Sequence, residues 1–185
     1  SSAFYFDMVD DKDLDNVGLS WSGYADYKDM WTVDVFDIFN DSYGVKKNNI
    51  SKEYIESSEK LKSTNRDNII GIQSHIWSET IRNEDILDYM FMPNIIVFSQ
   101  KAWSKDPKWI SVQDKNEREI TLDYEWNKFR NTIGQRLLPM IENIYGGLSY
   151  DLPKPGGIIK NDSLYANTAF PGLNIKYTLD GSLPN

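Results

Sequence analysis

Two short apolar segments constrain this chain most. Ala3-Phe4-Tyr5-Phe6-Asp7-Met8 and Ile69-Ile70-Gly71-Ile72-Gln73-Ser74-His75-Ile76-Trp77 are almost continuously apolar, and polar groups follow the second as Ser78-Glu79-Thr80. Runs of this length and composition read as buried strands. A long connection separates them, and helical patterns follow the second. That order suits a parallel sheet with crossover connections. In an α/β barrel, the residues that act stand at the C-terminal ends of such strands.

The connections carry further signals. Residues 9–44 have no clear period and read as a long loop, which in a compact domain is usually functional. Six aromatics from Trp21 to Phe39 argue that it is ordered. Residues 45–67 are polar and read as a solvated helix and linker, a plausible insertion. Residues 84–102 read as a helix that is apolar nearly all round, with Asn83 as its N-cap and a kink or break at Pro93. Residues 118–145 read as a longer amphipathic helix that Gly146-Gly147 stops. Pro and Gly then punctuate short strand-like runs at 158–160, 164–166 and 173–179, the pattern of a small β-sandwich. The expected division is therefore 1–147 and 148–185. Both ends are abrupt, and the chain is expected to be a piece of something larger.

Charge and composition remove several classes. The 28 acidic residues outnumber the 20 basic ones, for a net charge of −8. This argues against a nucleic-acid partner, which needs clustered Lys and Arg. The absence of Cys excludes a disulfide framework, a thiolate zinc site and a Cys nucleophile. The excess acid lies in residues 1–43, which hold ten acids and two bases and read as a solvated acidic surface. Asp11-x-Asp13-x-Asp15 has the first spacing of a calcium loop but lacks its later Gly and Glu. The longest apolar runs fall well short of the ~20 residues of a membrane span. Three triplets, beginning at Asn40, Asn49 and Asn161, fit a glycosylation pattern that is common by chance.

Strand alternation puts Tyr5 and Asp7 on one face of the first strand, and Trp77 and Glu79 together on one face at the end of the second. A Trp beside a carboxylate in a cleft suits sugar recognition. The indole stacks on the C–H face of a pyranose, and the carboxylate accepts from its hydroxyls. Trp21, in the long loop, adds a possible wall. Each residue also has a plainer role, Trp77 as core filling and Glu79 as an acid near a helix N-terminus. His75 and Glu79 lie four apart, too far along a strand to share a metal ion, and no second ligand cluster accompanies them. No metal and no cofactor is expected.

At these residues the chain resembles glycoside hydrolase family 20, the β-N-acetylhexosaminidases, and is most similar to bacterial chitobiases. The likeness is carried by Gly71-Ile72-Gln73-Ser74-His75-Ile76-Trp77-Ser78-Glu79-Thr80, Leu87-Asp88-Tyr89-Met90-Phe91-Met92-Pro93 and Ala102-Trp103. Upstream, Tyr5-Phe6-Asp7 and Gly18-Leu19-Ser20-Trp21 join it. Downstream come Phe129-Arg130-Asn131-Thr132-Ile133-Gly134-Gln135-Arg136, Leu152-Pro153-Lys154-Pro155-Gly156 and the run Phe170–Gly181. The resemblance implies the C-terminal part of a (β/α)8 barrel, followed by the start of an immunoglobulin-like β domain. It implies removal of terminal N-acetylglucosamine or N-acetylgalactosamine by a substrate-assisted mechanism.

Carried across residue by residue, the resemblance gives Tyr5 a hydrogen bond to the acetamido oxygen. Trp77 would line the pocket of the −1 sugar, and Glu79 would bind its outer hydroxyls. Asp7 would sit near the 4- or 6-hydroxyl, where it would repel a 6-sulfate, so neutral substrates are expected. Trp21 would stack on the +1 sugar. The expected location is periplasmic, outer-membrane-associated or secreted.

Departures from the family pattern set the remaining expectations. No Asp-Glu dipeptide occurs anywhere in the chain, so the family's catalytic pair is missing. Its Pro-Arg stands here as Pro93-Asn94, and its Ala-Glu-Arg-Ala-Trp as Ser99-Gln100-Lys101-Ala102-Trp103. The chain is expected to supply the binding half of a hexosaminidase site, to be inactive alone and to need the N-terminal half of the barrel as its partner. A non-catalytic carbohydrate-binding or interaction module is the alternative, as is an inactive fragment.

Overall fold

A computed structural model describes residues 2–9, 17–24, 26–39, 50–144 and 146–184. The Asp11-Asp13-Asp15 spacing, the Asn40 and Asn49 triplets and Tyr145 lie outside the described residues.

The long acidic connection contains a helix that the sequence reading did not expect. Helix α1 (Tyr27–Thr32) is closed by a capping box. The Asp29 backbone N–H donates to Asp26 Oδ1 at 2.7 Å, and the Asp26 N–H donates to Asp29 Oδ2 at 3.4 Å. The helix is six residues long, and Tyr27, Met30 and Trp31 are all buried. It therefore shows no amphipathic period. The acids here are not simply solvated: Asp7, Asp29 and Asp34 are buried. Asp34 accepts from the backbone N–H groups of Phe36 and Asp37 at 3.0 and 3.2 Å, and so builds the turn after α1.

The polar insertion forms α2 (Lys52–Ser57) and a 3-10 turn at Ser63–Asn68. Arg66 pins the turn by packing 4.0 Å from the Phe36 ring centroid and pairing with Asp106. The helix expected over 84–102 is two helices, α3 (Glu84–Phe91) and α4 (Asn94–Trp103). Asn83 caps α3 as expected, accepting from the Ile86 N–H at 2.9 Å. Pro93, after a cis peptide bond, separates the two, because proline cannot donate to the helical ladder.

The long helix α5 (Lys115–Thr132) starts where Asp114 accepts from the Glu117 N–H. It passes through a π-helical turn, Ile133–Leu137, into α6 (Leu138–Ile141). Trp31 of α1 lies 5.6 Å from Trp126 of α5 and 6.2 Å from Trp109. These rings, with Val97, Ile133, Leu138 and Phe170, form the centre of the core.

The C-terminal region has an antiparallel hairpin, β1 (Gly156–Lys160) and β2 (Ser163–Asn167). Asn161 and Asp162 turn it with φ of 51° and 56°, the left-handed pair of a two-residue hairpin turn. The third run expected there, 173–179, is not a regular strand. Its backbone has no ladder partner among the described residues.

The two opening segments also need correction. They are parallel, but they meet in a single bridge between Tyr5 and His75 rather than in a ladder. The Phe6 N–H donates to the His75 carbonyl at 2.8 Å, and the His75 N–H donates to the Phe4 carbonyl at 3.0 Å. Residues 2–4 are wound into a 3-10 turn. A ladder is extended by flanking strands, and none lies beside these segments among the described residues.

Candidate active site

The bridge places the predicted residues. Tyr5 and His75 are its two partners, and Trp77 follows two residues on. The side chains form a continuous row of rings. Trp21 stands edge-on to Tyr5 at 6.2 Å, Tyr5 stacks on His75 at 5.2 Å, and His75 stacks on Trp77 at 6.4 Å. Trp21 is 69% exposed and Trp77 51%. Both keep a large apolar surface in solvent, where a plain core role would bury it.

Trp21 is brought in by a second parallel bridge, Met8 to Leu19. The Leu19 N–H donates to the Asp7 carbonyl at 2.7 Å, and the Val9 N–H to the Leu19 carbonyl at 3.0 Å. Gly18 makes this approach possible. Its φ is +93°, and a Cβ there would lie 2.7 Å from the Asp7 carbonyl oxygen. The Gly18 N–H also donates to Thr80 Oγ1 at 3.2 Å, tying the loop to the segment that carries Trp77 and Glu79.

Asp7 is 1% exposed, and neither carboxylate oxygen holds a good hydrogen bond. Burial above all pushes its pKa up, and the nearby charge of Glu79 adds to this. The backbone N–H groups of Asp7 and Trp77, and His75, act in the opposite sense. Glu79 is exposed. The structure therefore brings Tyr5, Asp7, Trp21, Trp77 and Glu79 into one neighbourhood, with Asp7 buried and Glu79 exposed. A larger groove of about 560 Å³ between α4 and α5 includes none of these five.

Sequence reasoning missed a second buried acid. Asp151, 9% exposed, belongs to the segment that leads to the hairpin. It shares a cavity of about 20 Å³ with Tyr5, Asp7, Tyr89 and Asn94. The Tyr27 hydroxyl donates to its Oδ2 at 3.2 Å. Burial raises its pKa, against hydrogen bonds from Tyr89, Tyr27 and the Leu152 backbone. Only a long-range contact reveals this residue, since 124 positions separate Tyr27 from Asp151.

An acid with a raised folded pKa holds its proton more tightly when folded. Its stabilising contribution is complete below the unfolded value near 3.8 and is lost as pH rises through the folded value. Asp151→Asn keeps an acceptor for Tyr27 and does not titrate. Its unfolding midpoint should rise relative to the wild type as pH increases from about 4 towards neutrality, as read by circular dichroism. A constant difference across that range would contradict the assignment.

Among the described residues, no three acidic or imidazole groups gather into a metal site, and no helix is long and apolar enough to cross a membrane.

Comparisons with known proteins give the family. The model of the glycosyl hydrolase family 20 catalytic domain matches residues 1–106, and that of the chitobiase/beta-hexosaminidase C-terminal domain matches residues 139–184. The chain is similar to an N,N'-diacetylchitobiase of Vibrio harveyi, 34% identical over 119 residues. That match covers 60% of this chain and 13% of the relative. It is also similar to a beta-hexosaminidase of Vibrio vulnificus, 28% identical over 199 residues, covering 97% of this chain and 22% of the relative. The chain thus spans less than a quarter of the length of either relative. The catalytic-domain model takes in more than half of the chain, including every residue of the ring row, and the chain therefore belongs to glycosyl hydrolase family 20.

Proposed function

We propose that this chain supplies the sugar-binding half of a β-N-acetylhexosaminidase site, acting on glycans that end in N-acetylglucosamine or N-acetylgalactosamine. The observation that carries the reading is the partly exposed ring row Trp21-Tyr5-His75-Trp77, with two carboxylates close to it. Residues 1–147 are read as the C-terminal part of a (β/α)8 barrel, and 148–185 as the start of an immunoglobulin-like domain. The parallel pairing of the two opening segments and the antiparallel hairpin support that division. The reading puts the protein in the periplasm, on the outer membrane or outside the cell, a placement that rests on resemblance alone.

The proposed chemistry needs no metal. The acetamido oxygen of the substrate attacks its own anomeric carbon, and the glycosidic C–O bond breaks. A carboxylic acid from outside these 185 residues protonates the departing oxygen. Water then opens the oxazolinium ring, which returns the acetamide and retains configuration. The Tyr5 hydroxyl donates to the acetamido oxygen and holds it in line. Trp77 closes the wall behind that acetamide, and Trp21 meets the next sugar. Glu79 accepts from the outer hydroxyls. Asp7 sits near the 4- or 6-hydroxyl, and the unfilled acceptor capacity of its buried carboxylate suits a hydroxyl donor.

Trp77 provides the experiment for this reading. In the assembly of this chain with the half that bears the acid, Trp77→Ala removes a half-exposed aromatic wall. KM for a chromogenic N-acetylglucosaminide should rise about tenfold, the loss of roughly 1.4 kcal/mol of stacking and apolar contact. An unchanged KM would contradict the site. A second reading, a module that binds carbohydrate without cleaving it, is favoured by the absence of an Asp-Glu pair from the chain. It predicts sugar binding that survives when every attempt to restore hydrolysis fails.

A further inference from the structure

His75 is the only histidine of the chain, and it lies at the centre of the ring row. Its imidazole is within 26° of parallel to the Tyr5 ring and within 14° of the Trp77 ring. No side-chain hydrogen bond holds the imidazole among the described residues. Its ring contacts are with Tyr5 and Trp77. The backbone of the same residue makes both hydrogen bonds of the bridge. Truncating the side chain therefore leaves the pairing of the two segments in place.

We propose that His75 is a positioning residue of the sugar pocket, a flat spacer that fixes the separation of the Tyr5 phenol and the Trp77 indole. The proposal rests on the sugar-site reading above and deepens it. Tyr5 must meet the acetamido oxygen while Trp77 walls the same group, so one substituent is gripped from two segments. With the imidazole gone, both rings gain rotamer freedom, and the phenol loses its fixed aim. Misaim of this kind weakens an interaction made in the transition state more than it weakens ground-state binding. Any flat ring of similar size should serve, because among the described residues stacking and not hydrogen bonding holds the imidazole.

Two measurements test this. The first uses proton NMR of this chain and needs no activity. A single histidine gives unambiguous ring resonances, and stacking between Tyr5 and Trp77 should shift them upfield of the free imidazole position. Tyr5→Leu and Trp77→Leu should each move them back in part. Resonances at the free position would overturn the proposal.

The second uses the assembly with the acid-bearing half. His75→Ala should lower kcat about tenfold, with KM changing less than about threefold. His75→Phe should recover most of the loss, and both variants should melt within about 3 °C of the wild type. Wild-type kinetics in His75→Ala, or a Phe variant as poor as the Ala variant, would overturn the proposal alone. A parallel fall in the melting midpoint would also overturn it, by showing a purely structural role. A wild-type assembly that cleaves no N-acetylhexosaminide would instead contradict the sugar-site reading, and the proposal with it.

Discussion

Replacing Tyr5 by Phe is expected to lower kcat on an N-acetylglucosaminide by roughly two to three orders of magnitude, with little change in KM. The ring survives this substitution, so the stack on His75 and the edge contact with Trp21 remain. The backbone bridge to His75 is also untouched. Only the hydroxyl is lost. In the proposed mechanism that hydroxyl steers a neutral amide oxygen as it turns into a nucleophile, and charge shifts along the amide as the new bond forms. A donor fixed in advance contributes most at that moment, which places the loss in kcat. Steady-state kinetics on the assembled site checks this. A Phe variant within threefold of wild type would remove Tyr5 from the chemistry.

The largest expected effect on stability comes from Gly134→Ala. Gly134 lies in the π-helical turn between α5 and α6 and is buried. A Cβ there would fall on the Pro171 carbonyl oxygen and lie 2.9 Å from the Phe170 carbonyl carbon. Both obstacles are backbone, so no side-chain rotation relieves them. Phe170 is fully buried and packs 5.1 Å from Tyr27 of α1. The substitution therefore drives the 169–173 segment off the core and exposes Phe170. The cost is about 3 kcal/mol, enough to shift the denaturation midpoint clearly. Gly134→Ala with an unchanged midpoint would mean that the C-terminal segment does not dock there.

These two cases show what the sequence made legible. Tyr5 and Trp77 stood out because each shares a strand face with a carboxylate, and Trp21 because it adds an aromatic ring from the long loop. The two strands of the hairpin were readable as the strand-like runs at 158–160 and 164–166, whereas the left-handed turn at Asn161-Asp162 emerged only from the structure. Asn83 marked a helix start correctly, and Pro93 marked the break between α3 and α4.

Other features depend on partners far away in sequence. Helix α1 is too short and too buried to show a period, although Asp26 and Asp29 had the capping spacing. The segments at 3–8 and 69–77 looked like full strands because apolar runs encode burial, whereas ladder length depends on neighbours. Asp151 seemed an ordinary linker acid until Tyr27 met it from α1. His75 had no assigned role, since its spacing of four from Glu79 along a strand argued against a shared metal ion, and only the ring geometry shows its contacts with Tyr5 and Trp77. The buried Asp7 carboxyl is a similar case, since composition had placed it in a solvated acidic surface.

In the proposed function, binding residues stand on this chain while the proton donor stands elsewhere. The most direct test is release of the chromophore from a nitrophenyl N-acetyl-β-glucosaminide, measured with this chain alone and then with the family segment that carries the Asp-Glu pair. No release is expected from the chain alone, and clear turnover once the two are combined. Turnover by the chain alone, or a combined sample in which the two halves associate and still release nothing, would contradict it.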